Sequence, residues 1–215
     1  MDDNRYIMTQ QTFNHDKDPH NVEAYYNFLK EKTQEMNKIS PTFCAAKWLN
    51  ASIWLGNGRT ASCHHPLAHY IPKMELENNP SALHNTEFKK ERRKEMLSGI
   101  RPEECYYCWN IEKHGQLSDR HYRSGEPWAA EHFDEIVNST GDENAIPSYV
   151  EVNFNHACNL SCSYCSPQFS STWMGETEKY GAYPTSTPHN DPSHFVGHRR
   201  PIPHSQDNPY VDAFW

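Results

Sequence analysis

Three cysteines stand close together in the second half of the chain. Cys158, Cys162 and Cys165 lie in HACNLSCSYCSP with the spacing C-x3-C-x2-C. Three thiolates on one loop can hold three corners of a [4Fe-4S] cluster, whereas ordinary clusters take four, so one iron keeps an open site. An open iron can bind a substrate or cofactor directly. The alternative is a zinc loop that borrows a fourth ligand such as His156, although the spacing is unusual for zinc.

A strand is predicted directly before this loop, over Tyr149–Asn155, and an aromatic residue, Tyr164, precedes the last cysteine. This arrangement resembles the radical S-adenosylmethionine (radical SAM) superfamily. The resemblance implies that the three cysteines hold the cluster and that the amino and carboxylate groups of SAM bind its fourth iron. It also implies that a 5′-deoxyadenosyl radical is released and takes a hydrogen atom from the substrate. Tyr164 would lie near the adenine.

The other four cysteines form two pairs, Cys44 with Cys63 and Cys105 with Cys108. The first pair reads C-x13-G-x4-C, and the second is a C-x2-C bite for one metal site. A hairpin is predicted over Ala51–Ser62, with Asn57-Gly58 as its turn. The returning strand would bring Cys63 beside Cys44. Spacing alone leaves a closed four-cysteine zinc site and an iron–sulfur site equally open.

This half of the chain resembles the auxiliary-cluster domains of radical SAM enzymes, the SPASM and shorter twitch types, whose opening signature is C-x9–15-G-x4-C. The resemblance implies a second iron–sulfur cluster on Cys44, Cys63, Cys105 and Cys108, with zinc as the alternative. In the family this domain usually follows the catalytic core. In this chain it precedes the core.

The composition indicates a small hydrophobic core that needs additional stabilisation. Leu, Ile, Val and Phe make up only 33 of the 215 residues, whereas 27 are aromatic. The low aliphatic content approaches that of disordered chains, and the aromatic content argues against disorder. A metal site can supply the missing stabilisation.

Charge and cysteine usage limit the partners and the compartment. The net charge of -8 gives no bulk attraction to nucleic acid. No apolar run is long enough for a membrane span, and the N-terminus lacks a signal peptide. The odd cysteine number and these absences predict a cytoplasmic protein whose cysteines bind metal.

The predicted fold class is an α+β auxiliary metal-binding domain followed by the start of an α/β, partial TIM-type radical SAM core. The predicted parts are an N-terminal helix region (1–40, with a helix over 20–38), a twitch-like domain (41–137) and the beginning of the core (148–215). Further helices are predicted over Asn85–Leu97 and Glu126–Val137. The mixed charges of the first of these indicate a solvated face.

The core is expected to be incomplete. Only 58 residues run from Cys158 to the end, whereas six strand–helix units would need about 190 by scaling from an eight-unit barrel. The family's Gly-Gly-Glu-type element is absent, and Met174-Gly175-Glu176 is the nearest string. We therefore expect an enzyme or a split half of one, inactive alone, that needs an electron donor and a second polypeptide to complete the barrel. The resemblance implies that the substrate is a peptide or a small molecule. A non-catalytic zinc- or iron–sulfur-binding module for a protein partner is the alternative function.

Histidines supply weaker candidates. His64, His65 and His69 follow Cys63 and could ligate a metal, but a solvated loop is the favoured interpretation. The irregularly spaced histidines of the C-terminal segment are interpreted as loop residues: His189, His194, His198 and His204.

Overall fold

A computed structural model describes residues 19–165, 167, 169–181, 201–203 and 205–215. The four C-terminal histidines named above lie outside the described residues. The chain divides into two compact units. The first comprises the described residues up to Ile53 together with Thr60–Glu151, and the second comprises Trp54–Arg59 and the described residues of Val152–Trp215.

The observed class is α+β, with a small four-stranded mixed sheet among many short helices. The strands are β1 (Asn50–Trp54), β2 (Arg59–Ala61), β3 (His69–Tyr70) and β4 (Tyr149–Asn153), and they lie in the order β3-β2-β1-β4. Asn57-Gly58 forms the predicted turn: the amide of Gly58 donates to the Trp54 carbonyl at 2.9 Å. Gly58 has φ +67°, which a glycine adopts without strain.

The helices of the first unit are short apart from the N-terminal one. They are α1 (Pro19–Ile39), α2 (Ala46–Leu49), α3 (Lys73–Asn78), α4 (Glu87–Leu97), α5 (Tyr106–Lys113), α6 (Asp119–Gly125), α7 (Pro127–Ala130) and α8 (Phe133–Ile136), with 3-10 turns over Pro80–Leu83 and Glu103–Cys105. The predicted helix over Glu126–Val137 is therefore wrong as a single element, because the chain breaks between α7 and α8. In α1, Leu29 and Met36 are fully buried, whereas Tyr26 is exposed.

Aromatic rings replace aliphatic side chains in the core of this unit. Phe43 stacks on Trp48 with centroids 4.7 Å apart and meets the edge of Phe133 at 5.8 Å. Cys44, Cys108 and Trp109 belong to the same buried cluster. Cys44 and Cys108 are thus part of the core rather than of a surface loop.

The prediction of a solvated α4 is wrong for two of its cations. Lys89 and Arg93 are 2% and 0% exposed. Arg93 donates to the Lys47 carbonyl at 2.9 Å and to Asn85 Oδ1 at 2.8 Å, while Lys89 donates to Thr60 Oγ1 at 2.7 Å. Buried cations persist when polar acceptors surround them, so this helix face belongs to the interior.

The second unit contains the end of β4 and two helices, α9 (Ser171–Tyr180) and α10 (Pro209–Phe214). The sequence did not predict α9, where Ser170 caps the helix by accepting from the Trp173 amide. No strand follows β4 in the described residues of this unit, and the start of a barrel stays a prediction. None of the helices in the described part of the chain combines the length and apolar character needed to cross a bilayer.

Candidate metal centres

The four upstream cysteines line one cavity in the first unit. Cys44 lies at the entry to α2, Cys63 follows β2, Cys105 ends a 3-10 turn and Cys108 lies in α5. The hairpin therefore brings Cys63 to the same place as Cys44. The C-x2-C pair reaches it because the Cys105 amide donates to the Pro102 carbonyl at 3.1 Å, while Trp109 Nε1 donates there at 2.8 Å.

Burial opposes ionisation of these thiols. It raises the pKa of Cys44 to about 12, together with repulsion from Cys108, Cys105 and Cys63. Burial likewise raises the pKa of Cys105 to about 11. Since the thiolate is the metal ligand, binding a metal here would release protons and supply the charge that the buried sulfurs lack.

Three cations line the same cavity, Lys47, Arg120 and Arg123. Lys47 is 3% exposed and forms an ion pair with Glu104. Burial acts to lower the pKa of Lys47, but the negative charges of Cys105 and Glu104 outweigh it and raise the pKa. A metal site with four thiolates carries net negative charge, and the three cations around the cavity would balance that charge.

The sulfur spacing bears on the choice between zinc and a cluster. Four thiolates at about 2.3 Å from one zinc ion stand about 3.8 Å apart. In the part of the chain that the structure describes, the only trio of metal-ligating atoms within 4.8 Å of one another is that of His64, His65 and Asp119. No three of the cysteine sulfurs meet that limit. Thiolates on a four-iron cluster lie further apart because each binds its own iron, so zinc and an iron–sulfur cluster both stay open at this site.

The histidines after Cys63 are more organised than a solvated loop. His65 Nε2 and His64 Nε2 lie 2.7 and 3.2 Å from Asp119 Oδ2. Burial, with the charges of His65 and Arg123, lowers the pKa of His64. His69 lies apart from them, with Nε2 2.8 Å from Thr86 Oγ1. Sequence reasoning missed Asp119, which carries no motif and is brought in by the fold.

The C-x3-C-x2-C loop lies in the second unit and is held by the first turn of α9. The Cys158 amide donates to Ser171 Oγ at 3.1 Å, and Trp173 Nε1 donates to the Cys162 carbonyl at 3.0 Å. The Cys165 amide closes a turn onto the Cys162 carbonyl at 3.0 Å. The three sulfurs are partly exposed, so an external ligand can reach them.

Tyr164 is 90% exposed beside these sulfurs. A hydrogen bond to Cys162 raises the pKa of Tyr164, as do the charges of Cys162, Cys165 and Cys158. His156, the alternative fourth ligand for zinc, is instead 2% exposed. A Cβ added at Gly56 would meet the His156 ring at 2.8 Å, so this imidazole packs under the hairpin turn.

A cavity of about 650 Å³ opens next to this loop within the second unit. His156, Ser171, Gly175, Glu178 and Ile202 are among its walls, and its volume suits a small organic ligand. The Met174-Gly175-Glu176 string lies in α9 and not in a strand. Glu176 accepts from Ser161 Oγ at 2.7 Å.

No family model matches the chain, and neither does any curated protein or solved structure. Function therefore has to be inferred from the cysteine motifs and from the geometry of the two centres.

Proposed function

We propose that this chain is a radical SAM protein with two metal centres. Cys158, Cys162 and Cys165 hold a [4Fe-4S] cluster whose open iron binds SAM. Cys44, Cys63, Cys105 and Cys108 hold an auxiliary iron–sulfur cluster. When bound, the first cluster supplies the electron that cleaves SAM and releases the 5′-deoxyadenosyl radical.

One observation carries the proposal: four cysteines on four separate elements line a single cation-walled cavity. The seven free thiols divide into four that line this cavity, with Cys44 and Cys108 buried and Cys63 and Cys105 partly exposed, and three that are partly exposed on the loop of the second unit. A closed four-thiolate site suits a resident cluster, and a three-thiolate loop suits a cluster that must meet a ligand.

The chain's own residues have definable tasks at these centres. Lys47 and Arg120 balance the charge of the buried thiolates. Ser171 and Trp173 fix the backbone of the three-cysteine loop. Tyr164 stands exposed beside that loop, where it is available to the adenine. The cavity lined by His156 and Glu178 supplies space for the nucleoside.

A second candidate is a non-catalytic zinc- or iron–sulfur-binding module for a protein partner. The observation that favours it is the burial of Cys44 and Cys108 among core aromatic residues, where a metal would stabilise the fold. The two functions differ in whether the three-cysteine loop also binds a cluster.

Anaerobic reconstitution with iron and sulfide tests the proposal. The full chain should hold two clusters by iron and sulfide analysis. The triple variant Cys158→Ala, Cys162→Ala and Cys165→Ala should lose one cluster and keep the other. Ser163→Ala, an exposed change in the same loop, is the matched control and should keep both.

The catalytic part has its own readout. The reduced wild-type protein incubated with SAM should release 5′-deoxyadenosine once a second polypeptide that carries further barrel strands is present, and the triple variant should not. If the wild type and a folded triple variant bind the same amount of iron, the three-cysteine loop holds no cluster. The chain would then be the non-catalytic metal-binding module. The substrate class and the electron donor also belong to this proposal: a peptide or small molecule would be the hydrogen donor.

A further inference from the structure

Two imidazoles and one carboxylate converge beside the four-cysteine cavity. His64 and His65 follow β2, and Asp119 is the first residue of α6. Their ligand atoms lie within 4.8 Å of one another. We propose that His64, His65 and Asp119 form a separate mononuclear site for a divalent transition-metal ion. This site does not depend on the iron–sulfur proposal, because it uses none of the seven cysteines.

The donor set defines the class of ion. Two neutral imidazoles and a carboxylate suit zinc, iron(II) and cobalt(II), whereas magnesium and calcium prefer oxygen ligands alone. Three protein ligands leave open positions for water or a substrate, which is the pattern of catalytic rather than structural sites. The soft thiolates nearby would prefer zinc or iron–sulfur clusters, so the two sites can be loaded selectively.

The surroundings order the His65 ring and the start of the helix that carries Asp119. The His65 ring stacks on Tyr107 with centroids 3.6 Å apart and an angle of 19°. Asp119 follows Ser118, the N-cap of α6, whose amide donates to His121 Nδ1 at 3.0 Å. The side chains of His64, His65 and Asp119 are 53%, 16% and 31% exposed, so an ion can enter from solvent without unfolding the unit.

Metal binding requires a proton to move within His64. Its Nδ1 now accepts from Arg123 Nη2 at 3.2 Å, which places the ring proton on Nε2 toward Asp119. Ligation through Nε2 shifts that proton to Nδ1, with no net release. Arg123 must then turn toward Glu126, to which its Nη1 already donates at 3.0 Å.

The relocated proton has an acceptor ready. Cys63 Sγ lies 3.9 Å from His64 Nδ1, so the N–H can donate to this sulfur. Metal ligands commonly donate their other ring nitrogen to a neighbouring group that fixes their orientation. His64 would therefore link the nitrogen–oxygen site to the thiol site through one imidazole ring.

Cobalt(II) titration of the full chain, with its thiol sites filled with iron and sulfide, tests the proposal. The wild type should bind one cobalt ion with ligand-field bands that lack sulfur-to-cobalt charge transfer. His65→Ala and Asp119→Asn should weaken this binding by more than the 10–100-fold typical of losing an outer partner. His114→Ala, an exposed histidine on the same unit, should bind cobalt as the wild type does.

Two results would overturn the site. Unchanged cobalt affinity in folded Asp119→Asn would mean that the three groups only hydrogen-bond to one another. Cobalt bound solely with sulfur charge transfer would assign it to cysteines. Circular dichroism checks the folding of each variant, and Asp119→Asn preserves side-chain size. Iron content measured on the same samples reports the thiol sites, so the failure of one proposal is distinguishable from that of the other.

Discussion

Arg120 forms a bidentate ion pair with Glu112: its Nε and Nη2 donate to the two carboxylate oxygens at 2.8 and 3.0 Å. Its remaining nitrogen, Nη1, donates to the Phe43 carbonyl at 2.8 Å. Phe43 directly precedes Cys44, and Glu112 lies one helical turn after Cys108 in α5. This pair therefore ties the chain on both sides of the four-cysteine cavity.

Arg120→Lys should lower the metal content of the four-cysteine site. Lysine keeps the charge but cannot make the forked bonds, so Cys44 and Cys108 lose a shared anchor. Metal analysis after reconstitution measures the loss. Arg101→Lys is the matched control, since Arg101 also lies over the Trp109 ring, at 5.5 Å, but is exposed. Equal metal content in the two variants would show that Arg120 does not position the site.

Gly58→Ala should destabilise the hairpin turn of the second unit. An added Cβ would lie 2.1 Å from the Tyr210 ring, and the residue has φ +67°. Gly115 has a similar φ of +73° with nothing within 4 Å. Gly115→Ala should therefore cost only the left-handed strain of about 1–2 kcal/mol, and Gly58→Ala clearly more. Urea unfolding compares the two; equal losses would mean that the ring moves aside freely.

Arg93→Lys should reduce the free energy of unfolding by about 1–3 kcal/mol, the cost of one unsatisfied buried group. The buried Lys47 carbonyl would lose its donor, whereas Asn85 Oδ1 would keep the Ala145 amide at 3.0 Å. The neighbouring Arg92→Lys should change stability little, because Arg92 pairs with Glu91 and Glu95 near the surface. Chemical denaturation of both variants measures the difference. An unchanged free energy of unfolding in Arg93→Lys would contradict the role of the two Arg93 hydrogen bonds.

The free energy of unfolding should decrease as the pH is lowered through two separate ranges. Burial, then the charges of Lys89 and Arg93, holds the pKa of His84 well below 6.5. For Glu143, burial opposes ionisation, but hydrogen bonds led by that from Ser139 lower the pKa to about 2. In both cases the unfolded chain takes the proton first, so protonation favours unfolding.

The His84 contribution should be lost as pH falls below about 6.5, with a slope of at most about 1.4 kcal/mol per pH unit. The Glu143 contribution should be lost between about 4.5 and 2. Denaturation across about pH 2–8 measures both, because that range spans the two windows. His84→Gln should flatten only the upper window and His114→Gln neither. A pH-independent wild type above pH 5 would refute the assignment to His84.

Sequence alone determined the features that depend on neighbours along the chain. Asn57-Gly58 predicts the hairpin because its turn type needs a positive φ at glycine, and Gly99 ends α4 with φ +74° for the same reason. The spacing of the seven cysteines separates them into three and four without reference to a fold. Pro41, directly after α1 and Ser40, likewise marks the limit of a helix.

Only the tertiary structure decided which polar groups enter the interior. The sequence places Lys89 and Arg93 among the charges of a solvated helix, yet acceptors from distant segments, such as Thr60 and the Lys47 carbonyl, draw them inside. Asp119 meets His64 and His65 across more than fifty residues. No local pattern encodes such a meeting, because the burial of a charge depends on acceptors that only the folded chain brings to it.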